Sequence, residues 1–419
     1  MRDEILLNQD NPLQLEKLYR GNKPTFKAAF NAVYPQLRSN PLAEGWYQRL
    51  NFSPEELSPG TMAWGSPAER TFVVAASLFS AFIAKLPELL SLDNEFFYPR
   101  NAGLIVLPML MAYFAWKYNA SRKTCGLVAG LVLASATFIN LLPQNTSSDT
   151  LVLACMHLPL WLWSLLGFVF SGGTWRNGAN WLGFLRYNGE LAAITALLLL
   201  SGGLTTAITI GLFNLIGWKI EKFYFQYIVI CGLAAVPIVG TFITRVQPTL
   251  VNKVSPVIAR LFSPVALVML VVYLVATLIA GKNPYHDREF LLLFNGLLVG
   301  VMALIFFSVA ETDHSGSHRG QILLLFLLSA VTLIVNCIAL SAVLFRISEW
   351  GLTPNRAAVL GANILMLIHL FYVATKLFGT LRGKNELTAV GSSLAVFLPL
   401  YSVWSAIVTF AFPLLFGFR

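Results

Sequence analysis

Residues 321–345, with the sequence QILLLFLLSAVTLIVNCIALSAVLF, decide the fold class of this protein. The stretch contains no charged side chain. It is also longer than the roughly 20 apolar residues that an α-helix needs to cross a hydrocarbon core of about 30 Å. In lipid, backbone N–H and C=O groups have to find partners inside their own segment, which an α-helix allows. The stretch therefore predicts a membrane-spanning helix.

The same criterion, applied outward from this stretch, finds about eleven apolar windows after residue 70. The second window is shorter than the others. Together they predict an all-α, polytopic helical membrane protein with about eleven transmembrane helices. The windows are 71–91, 101–117, 124–143, 150–171, 190–214, 224–244, 263–281, 289–310, 321–345, 356–378 and 392–416.

The composition of the 419-residue chain agrees with a membrane protein. Hydrophobic residues make up 56% and charged residues only 12%, whereas a soluble domain carries about 25% charged residues. So little polar surface excludes a soluble globular enzyme, a disordered chain and a nucleic-acid-binding tail. The net charge of +9 comes from bases that stand singly between apolar runs, which is typical of membrane proteins. The cysteines lack a paired spacing, so we expect small buried side chains at Cys125, Cys155, Cys231 and Cys337.

The first seventy residues differ from the rest, because their apolar residues recur at spacings of three and four. Asn11-Pro12, Pro24 and Asn40-Pro41 are typical helix starts. The pattern predicts a small helical cytoplasmic unit over residues 1–50, a Pro-, Ser- and Gly-rich linker at 51–69, and a transmembrane domain at 70–419. The unit is interpreted either as a docking module for a partner protein or as a structural cap.

Basic residues between the windows predict the orientation of the chain. Lys and Arg are more numerous in the loops after even-numbered windows, so these loops and the N-terminus are predicted to be cytoplasmic. In one such connection, residues 245–262, apolar residues share a helical face and Lys253 and Arg260 are seven residues apart. This pattern predicts an interfacial helix. We expect Lys253 and Arg260 to bind lipid headgroups or, alternatively, an anionic substrate.

Ionisable residues at membrane depth are few, and placing each one there costs at least about 2.5–3.5 kcal/mol. His157 and His369 lie inside windows, Glu190 opens the fifth window and Glu311 ends the eighth. We hypothesise that these four residues line one polar cavity. The ordinary alternative makes each histidine an interhelical hydrogen-bond donor and Glu190 a helix cap. Amides add further polar groups at Asn140, Asn214, Asn295, Asn336 and Asn363.

The segment 346–356 turns the chain between two windows. Arg346 and Glu349 are three residues apart and are expected to pair. This pairing leaves Arg356 as a free cation at an outer entrance, which makes Arg356 a further candidate for a substrate pathway.

Several catalytic patterns are absent from the sequence. It contains no phosphate-binding loop, no HExxH, no G-x-S-x-G and no paired-cysteine motif. The sequence therefore predicts no catalytic residue, no metal site and no cofactor, and it does not indicate an enzyme.

A set of short motifs is spread over most of residues 70–419. The motifs are Asn140-Leu-Leu-Pro143, His157-Leu-Pro159, Phe184-Leu-Arg186 with Gly189-Glu190, Val254-Ser-Pro256 running to Ala259-Arg260-Leu-Phe-Ser-Pro264, Asp287-Arg288-Glu289-Phe290, and residues 346–356. In these motifs the chain resembles the bacterial multi-pass membrane family catalogued as domain of unknown function 4153. The resemblance implies a bacterial inner-membrane protein and brings no established activity with it.

Three functions are compatible with the sequence. The number of spans and the scattered polar residues favour a permease or ion-coupled transporter of a small solute. The second function is a non-catalytic sensor or assembly subunit that docks a partner protein through residues 1–50. The third, disfavoured by the missing catalytic motifs, is a lipid-modifying enzyme that binds headgroups through Lys253 and Arg260. Membrane lipids are expected partners in each case, and nucleic acid is not.

Overall fold

The computed structural model describes residues 1–37, 40–51, 65–145, 147–175, 178–279, 285, 288–315, 319–384 and 387–418. Within these ranges, all regular secondary structure is helical. The chain divides into two units, Met1–Trp64 and Gly65–Arg419. Most of the predicted linker lies outside the described residues, and its last residues, from Pro67 onward, belong to a helix.

The first unit consists of short helices, of which the second, third and fourth begin at the predicted helix starts and the first, Arg2–Leu7, was not predicted. Asn11 Oδ1 accepts a hydrogen bond from the Gln14 N–H at 3.2 Å, and Asn22 Oδ1 accepts one from the Thr25 N–H at 3.2 Å. The amphipathic spacing buries Phe26, among others. The helices are α1 (Arg2–Leu7), α2 (Pro12–Gly21), α3 (Lys23–Val33), a 3₁₀ turn (Tyr34–Gln36) and α4 (Pro41–Asn51).

The second unit is a bundle of long apolar helices. They are α5 (Pro67–Ala84), α6 (Leu86–Leu89), α7 (Asn94–Lys117), α8 (Arg122–Leu141), α9 (Asp149–Phe170), α10 (Gly178–Leu215), α11 (Glu221–Val246), α12 (Pro248–Ile279), α13 (Arg288–Ser315), α14 (Arg319–Trp350), α15 (Pro354–Leu381) and α16 (Leu387–Ala406), then a π-helical turn (Ile407–Ala411) and α17 (Phe412–Leu415). Extensive contacts join α14 to α15, α7 to α9 and α5 to α11.

Nine helices of the described chain are long and apolar enough to cross a membrane. The prediction of an all-helical, multi-pass membrane protein is therefore confirmed at this level. The second predicted window lies in α7, which carries Glu95, Arg100 and Lys117 and is outside the nine. The seventh lies in α12, whose apolar stretch Arg260–Val275 is shorter. The count of eleven spans stays a prediction.

The connection 245–262 is not a separate helix. Arg245 belongs to the end of α11, and α12 runs without a break from Pro248 to Ile279. Lys253 and Arg260 thus share the first half of a continuous helix, where the Arg260 side chain is exposed. The interfacial location of this half and its contact with headgroups stay predictions.

The surface of the bundle is apolar. Leu200 and Leu204 on α10 are 72% and 65% exposed, as suits helix faces that contact lipid. Because apolar side chains lie on this surface, the cysteines are not buried as predicted. Cys125 and Cys337 are exposed, and Cys155 and Cys231 are partly exposed, because an apolar side chain in lipid gains little from burial inside the protein.

Candidate functional site

One arginine holds two glutamates together inside the membrane part. Arg186 and Glu190 are one turn apart on α10, so their side chains share a face. Arg186 Nε lies 3.0 Å from Glu190 Oε1 and 3.0 Å from Glu311 Oε1, which belongs to α13. The Glu311 side chain is only 2% exposed and that of Glu190 only 9%. Two of the four predicted cavity residues are therefore brought together by a third residue, Arg186.

A glycine allows this close approach of α10 and α13. A Cβ atom at Gly189 would lie 1.9 Å from Cδ2 of Phe307, so only glycine fits beside this ring. Helix α10 begins at Gly178, so Gly189 and Glu190 lie inside the helix. The alternative in which Glu190 caps the helix is wrong, because Glu190 lies well inside α10.

Arg245, near the end of α11, is a second, partly buried base close to this group. Its guanidinium carbon lies 4.6 Å from the centre of the Tyr187 ring and 5.3 Å from that of Phe170. Its Nε and Nη2 atoms are buried without hydrogen-bond partners. The aromatic faces offset part of the cost of burying this charge, and the charge acts on the Glu190 carboxylate.

A third group lies where α5 begins and α7 ends. Glu69 Oε1 accepts hydrogen bonds from the Tyr113 hydroxyl at 2.5 Å and from Lys117 Nζ at 2.6 Å. Ser66 caps α5, with its Oγ accepting from the Glu69 N–H at 3.1 Å. Arg245 lies between the two groups, because its guanidinium carbon is 4.6 Å from the ring centre of Tyr187, next to Arg186, and 5.7 Å from the ring centre of Phe114, next to Tyr113.

We call these three acids and three bases the charge network. Four of its members lie near helix ends: Glu69 at the start of α5, Lys117 at the end of α7, Arg245 at the end of α11 and Glu311 near the end of α13. The network therefore lies toward one end of the bundle and not at its middle. Its members are Glu69, Lys117, Arg186, Glu190, Arg245 and Glu311.

The two predicted histidines have other neighbours. His157 Nδ1 lies 2.9 Å from the Leu153 carbonyl oxygen, one turn earlier on its own helix α9. His369 is fully buried, stacks on Phe397 with ring centres 4.3 Å apart, and has Nδ1 3.2 Å from the Tyr401 hydroxyl. The His369 contact is that of the ordinary alternative, a histidine that hydrogen-bonds between helices, whereas the His157 contact lies within its own helix.

Arg356 is not a free cation. Its Nη1 donates to the carbonyl oxygens of Trp350 at 2.9 Å and Gly351 at 2.6 Å. These carbonyls lie at the C-terminal end of α14, where a positive charge is stabilised by the helix dipole. The expectation that Arg356 is a free cation is therefore wrong, since its guanidinium group caps the C-terminal end of α14.

Arg100 is a buried base that the sequence places between two windows. The structure puts it inside α7 with 3% exposure. Its Nη1 donates to the carbonyl oxygens of Ile139 at 2.5 Å and Leu142 at 3.0 Å, at the end of α8. Arg100 therefore joins two helices.

In the N-terminal unit, a groove of about 370 Å³ lies between α2 and α4. Trp46 lines it, and the Arg49 guanidinium carbon lies 4.8 Å from the centre of a Trp46 ring. Its other lining residues are Pro12, Glu16, Pro41, Leu42 and Gly45. In the described part of the chain, no group of three or more His, Cys, Asp or Glu side chains is arranged to hold a metal ion.

Sequence reasoning did not predict the charge network as a whole. Arg186, Arg245 and Lys117 had the appearance of loop bases, and Glu69 lay in the predicted linker. Two local signals were present: the spacing of four between Arg186 and Glu190, and the capping pattern of Ser66 with Glu69. The partner of Arg186 on α13 has no local signal.

Comparison of the chain with protein-family models, with curated proteins and with solved structures finds no match.

Proposed function

We propose that the protein is an ion-coupled permease for a small solute and that the charge network controls its conformational change. The observation that carries the proposal is the sharing of Arg186 by Glu190 on its own helix and Glu311 on another, both at 3.0 Å. The resemblance to the domain of unknown function 4153 family and a location in a bacterial inner membrane, with the N-terminus in the cytoplasm, belong to the same proposal.

The cost of burying charges supports a functional role for the network. Well-packed apolar side chains of similar volume stabilise a protein as well as, or better than, a buried ion pair. A bundle that needed only stability would have no use for ionised groups here. Charged residues within membrane segments usually belong to pathways for ions or substrates.

The geometry also supplies a two-state element. With both carboxylates bound, Arg186 ties α10 to α13. If Glu311 exchanges Arg186 for a cation or proton, Arg186 stays paired with Glu190 on its own helix, and the two helices are free to separate. Such exchange of ion pairs at helix interfaces is a common basis of switching between conformations.

Charge movement across a membrane tests the proposal. The full-length protein is reconstituted into liposomes, and a voltage-sensitive dye follows charge movement down an imposed Na⁺ or H⁺ gradient in the presence of a mixture of amino acids, sugars and small carboxylates outside the liposomes. We expect protein-dependent charge movement that falls to the level of protein-free liposomes in Glu311→Gln. The matched control is Glu95→Gln on α7, an exposed glutamate outside the charge network, which we expect to behave as wild type.

Charge movement no larger than in protein-free liposomes would contradict the permease function. Wild-type charge movement in Glu311→Gln would contradict the role of the charge network. Unfolding curves in detergent show whether the variant is folded, so loss of the fold is not mistaken for loss of transport.

The groove of the N-terminal unit favours a second candidate function, the docking of a partner subunit through residues 1–50. A groove with an aromatic side chain in its wall, here Trp46, is one kind of surface that binds peptides. A stoichiometric subunit that co-purifies with wild type and is lost in Trp46→Ala would support this function. A wild-type complement of subunits in Trp46→Ala would contradict it.

A further inference from the structure

Three asparagines on three neighbouring helices form a polar group inside the apolar bundle. They are Asn295 on α13, Asn336 on α14 and Asn363 on α15. Asn336 Nδ2 donates to the backbone oxygen of Asn363 at 3.2 Å, and Asn363 Nδ2 donates to Asn295 Oδ1 at 2.9 Å. We call this group the asparagine cluster.

Two oxygens of the cluster lack hydrogen-bond partners. Asn336 and Asn363 are 0% exposed, and neither Oδ1 atom accepts a hydrogen bond. The orientation of the Asn336 amide is fixed by its neighbour, because the backbone oxygen of Asn363 only accepts and must face Nδ2. Buried acceptors are nearly always satisfied in folded proteins, so two in one cluster require an explanation.

A different asparagine pair, of which Asn101 is buried and Asn140 partly buried, shows that amides in this bundle do not need to lack partners. Asn101 on α7 and Asn140 on α8 hydrogen-bond each other in both directions, at 3.0 Å and 2.9 Å. Each side-chain amide of this pair therefore donates and accepts. The unsatisfied oxygens are a property of the asparagine cluster and not of asparagines in this membrane part.

The chemistry of the cluster selects its ligand. A buried oxygen that only accepts is satisfied by a hydrogen-bond donor or by a cation, and hard cations prefer amide and backbone oxygens as ligands. The two hydrogen bonds that join the three asparagines are made by side-chain amides and a backbone carbonyl, which are neutral groups. Neutral ligands favour a singly charged ion, since divalent cations are usually held by carboxylates. Complete burial of both oxygens favours a small ion.

We infer that the asparagine cluster binds a sodium ion through Asn336 Oδ1 and Asn363 Oδ1. Thr332 lies one turn before Asn336 on the same face of α14 and is 0% exposed, so its hydroxyl oxygen is a further ligand. The sodium site is inferred from the geometry of the asparagine cluster alone. The role of sodium as the coupling ion rests on the proposed function.

Thermal unfolding of the full-length protein in detergent tests sodium binding. NaCl replaces choline chloride at constant ionic strength, and KCl replaces it in a parallel series. We expect the Tm to rise with Na⁺ and to saturate, because a ligand that binds only the folded state stabilises it. We expect no saturable rise with K⁺.

Three variants assign the effect to the cluster. Asn336→Leu abolishes the Na⁺-dependent rise in Tm. Asn336→Asp adds a negative charge, so half-saturation moves to a Na⁺ concentration about tenfold lower. Asn140→Leu, in the self-satisfied pair, lowers the Tm but keeps the Na⁺-dependent rise.

The absence of a Na⁺-dependent rise in wild type, or an unchanged rise in Asn336→Leu, would overturn the site. The result is independent of transport, because it is measured without a membrane gradient. Na⁺ binding without charge movement in liposomes would contradict the permease function but not the sodium site. Charge movement without Na⁺ binding would refute the site and leave the permease.

Discussion

Two ion clusters of this protein each pair one central charge with two opposite charges, but one cluster is exposed and the other is buried. In the N-terminal unit, one glutamate serves two arginines: Glu16 lies 2.9 Å from Arg20 and 3.2 Å from Arg49, and the arginine side chains are 77% and 55% exposed. In the membrane part, one arginine serves two glutamates that are 9% and 2% exposed. The distances are nearly the same, so the difference between the clusters is their access to water.

This comparison separates geometry from energy. An exposed ion pair gains little, because water solvates both charges when the pair opens. A buried pair has no such alternative, so removal of one partner leaves an unsolvated charge. Removal of one partner from this three-residue arrangement should therefore change the free energy of unfolding little in the first unit and strongly in the second.

The largest effect is expected from removal of the shared base in the membrane part. Arg186→Met leaves Glu190 and Glu311 buried beside each other without their base, and we expect the free energy of unfolding to fall by about 3–5 kcal/mol. Denaturant unfolding in detergent measures this loss. Arg20→Met is the matched control, with no measurable change. A loss below about 1 kcal/mol in Arg186→Met would mean that this buried cluster contributes no more to stability than an exposed ion pair does.

A smaller effect is expected at a buried base that binds carbonyl groups instead of carboxylates. Arg100→Met removes the hydrogen bonds to Ile139 and Leu142, and we expect a loss of about 1.5–3 kcal/mol, typical of a hydrogen bond to a charged group. The same unfolding measurement applies. A wild-type free energy of unfolding in Arg100→Met would mean that other groups donate hydrogen bonds to the carbonyl oxygens at the end of α8.

The smallest effect is expected in the exposed cluster. The hydrogen bond from Arg20 lowers the pKa of the Glu16 carboxyl. Its contribution to stability is present above the pKa of the unfolded state and is lost as pH falls through the folded pKa. In Arg20→Gln, we expect the Glu16 pKa to rise toward its ordinary value in an NMR titration of the full-length protein. An unchanged pKa would show that Arg20 is not its main partner.

The fold was predictable where the signal is local. Long apolar windows predict long helices because lipid leaves the backbone no alternative, and the structure has a helix at 321–345 as expected. The ends of helices were less predictable, because a helix continues beyond the apolar window when its next residues find partners. Helix α10 begins at Gly178 and not near residue 190, and Arg186 in this additional stretch pairs with Glu190 and Glu311.

The candidate site was predictable only in part, for a related reason. Glu190 and Glu311 stood out as ionisable groups beside apolar windows. Their partners did not, because a lysine or arginine between two windows looks the same whether it faces water or a carboxylate on a distant helix. Arg100, Arg186 and Arg245 are three such bases, and each turned out to lie within a helix. The partners become visible only when the helices are packed.

One measurement tests most directly whether the buried cluster serves function or stability. The variant Arg186→Met/Arg245→Met/Glu190→Gln/Glu311→Gln removes two bases and two acids together, so no unpaired charge of this group is left in the interior. We predict that its unfolding in detergent resembles that of wild type, while charge movement in liposomes falls to the level of protein-free liposomes. A stable variant that moves charge as fast as wild type would contradict the account.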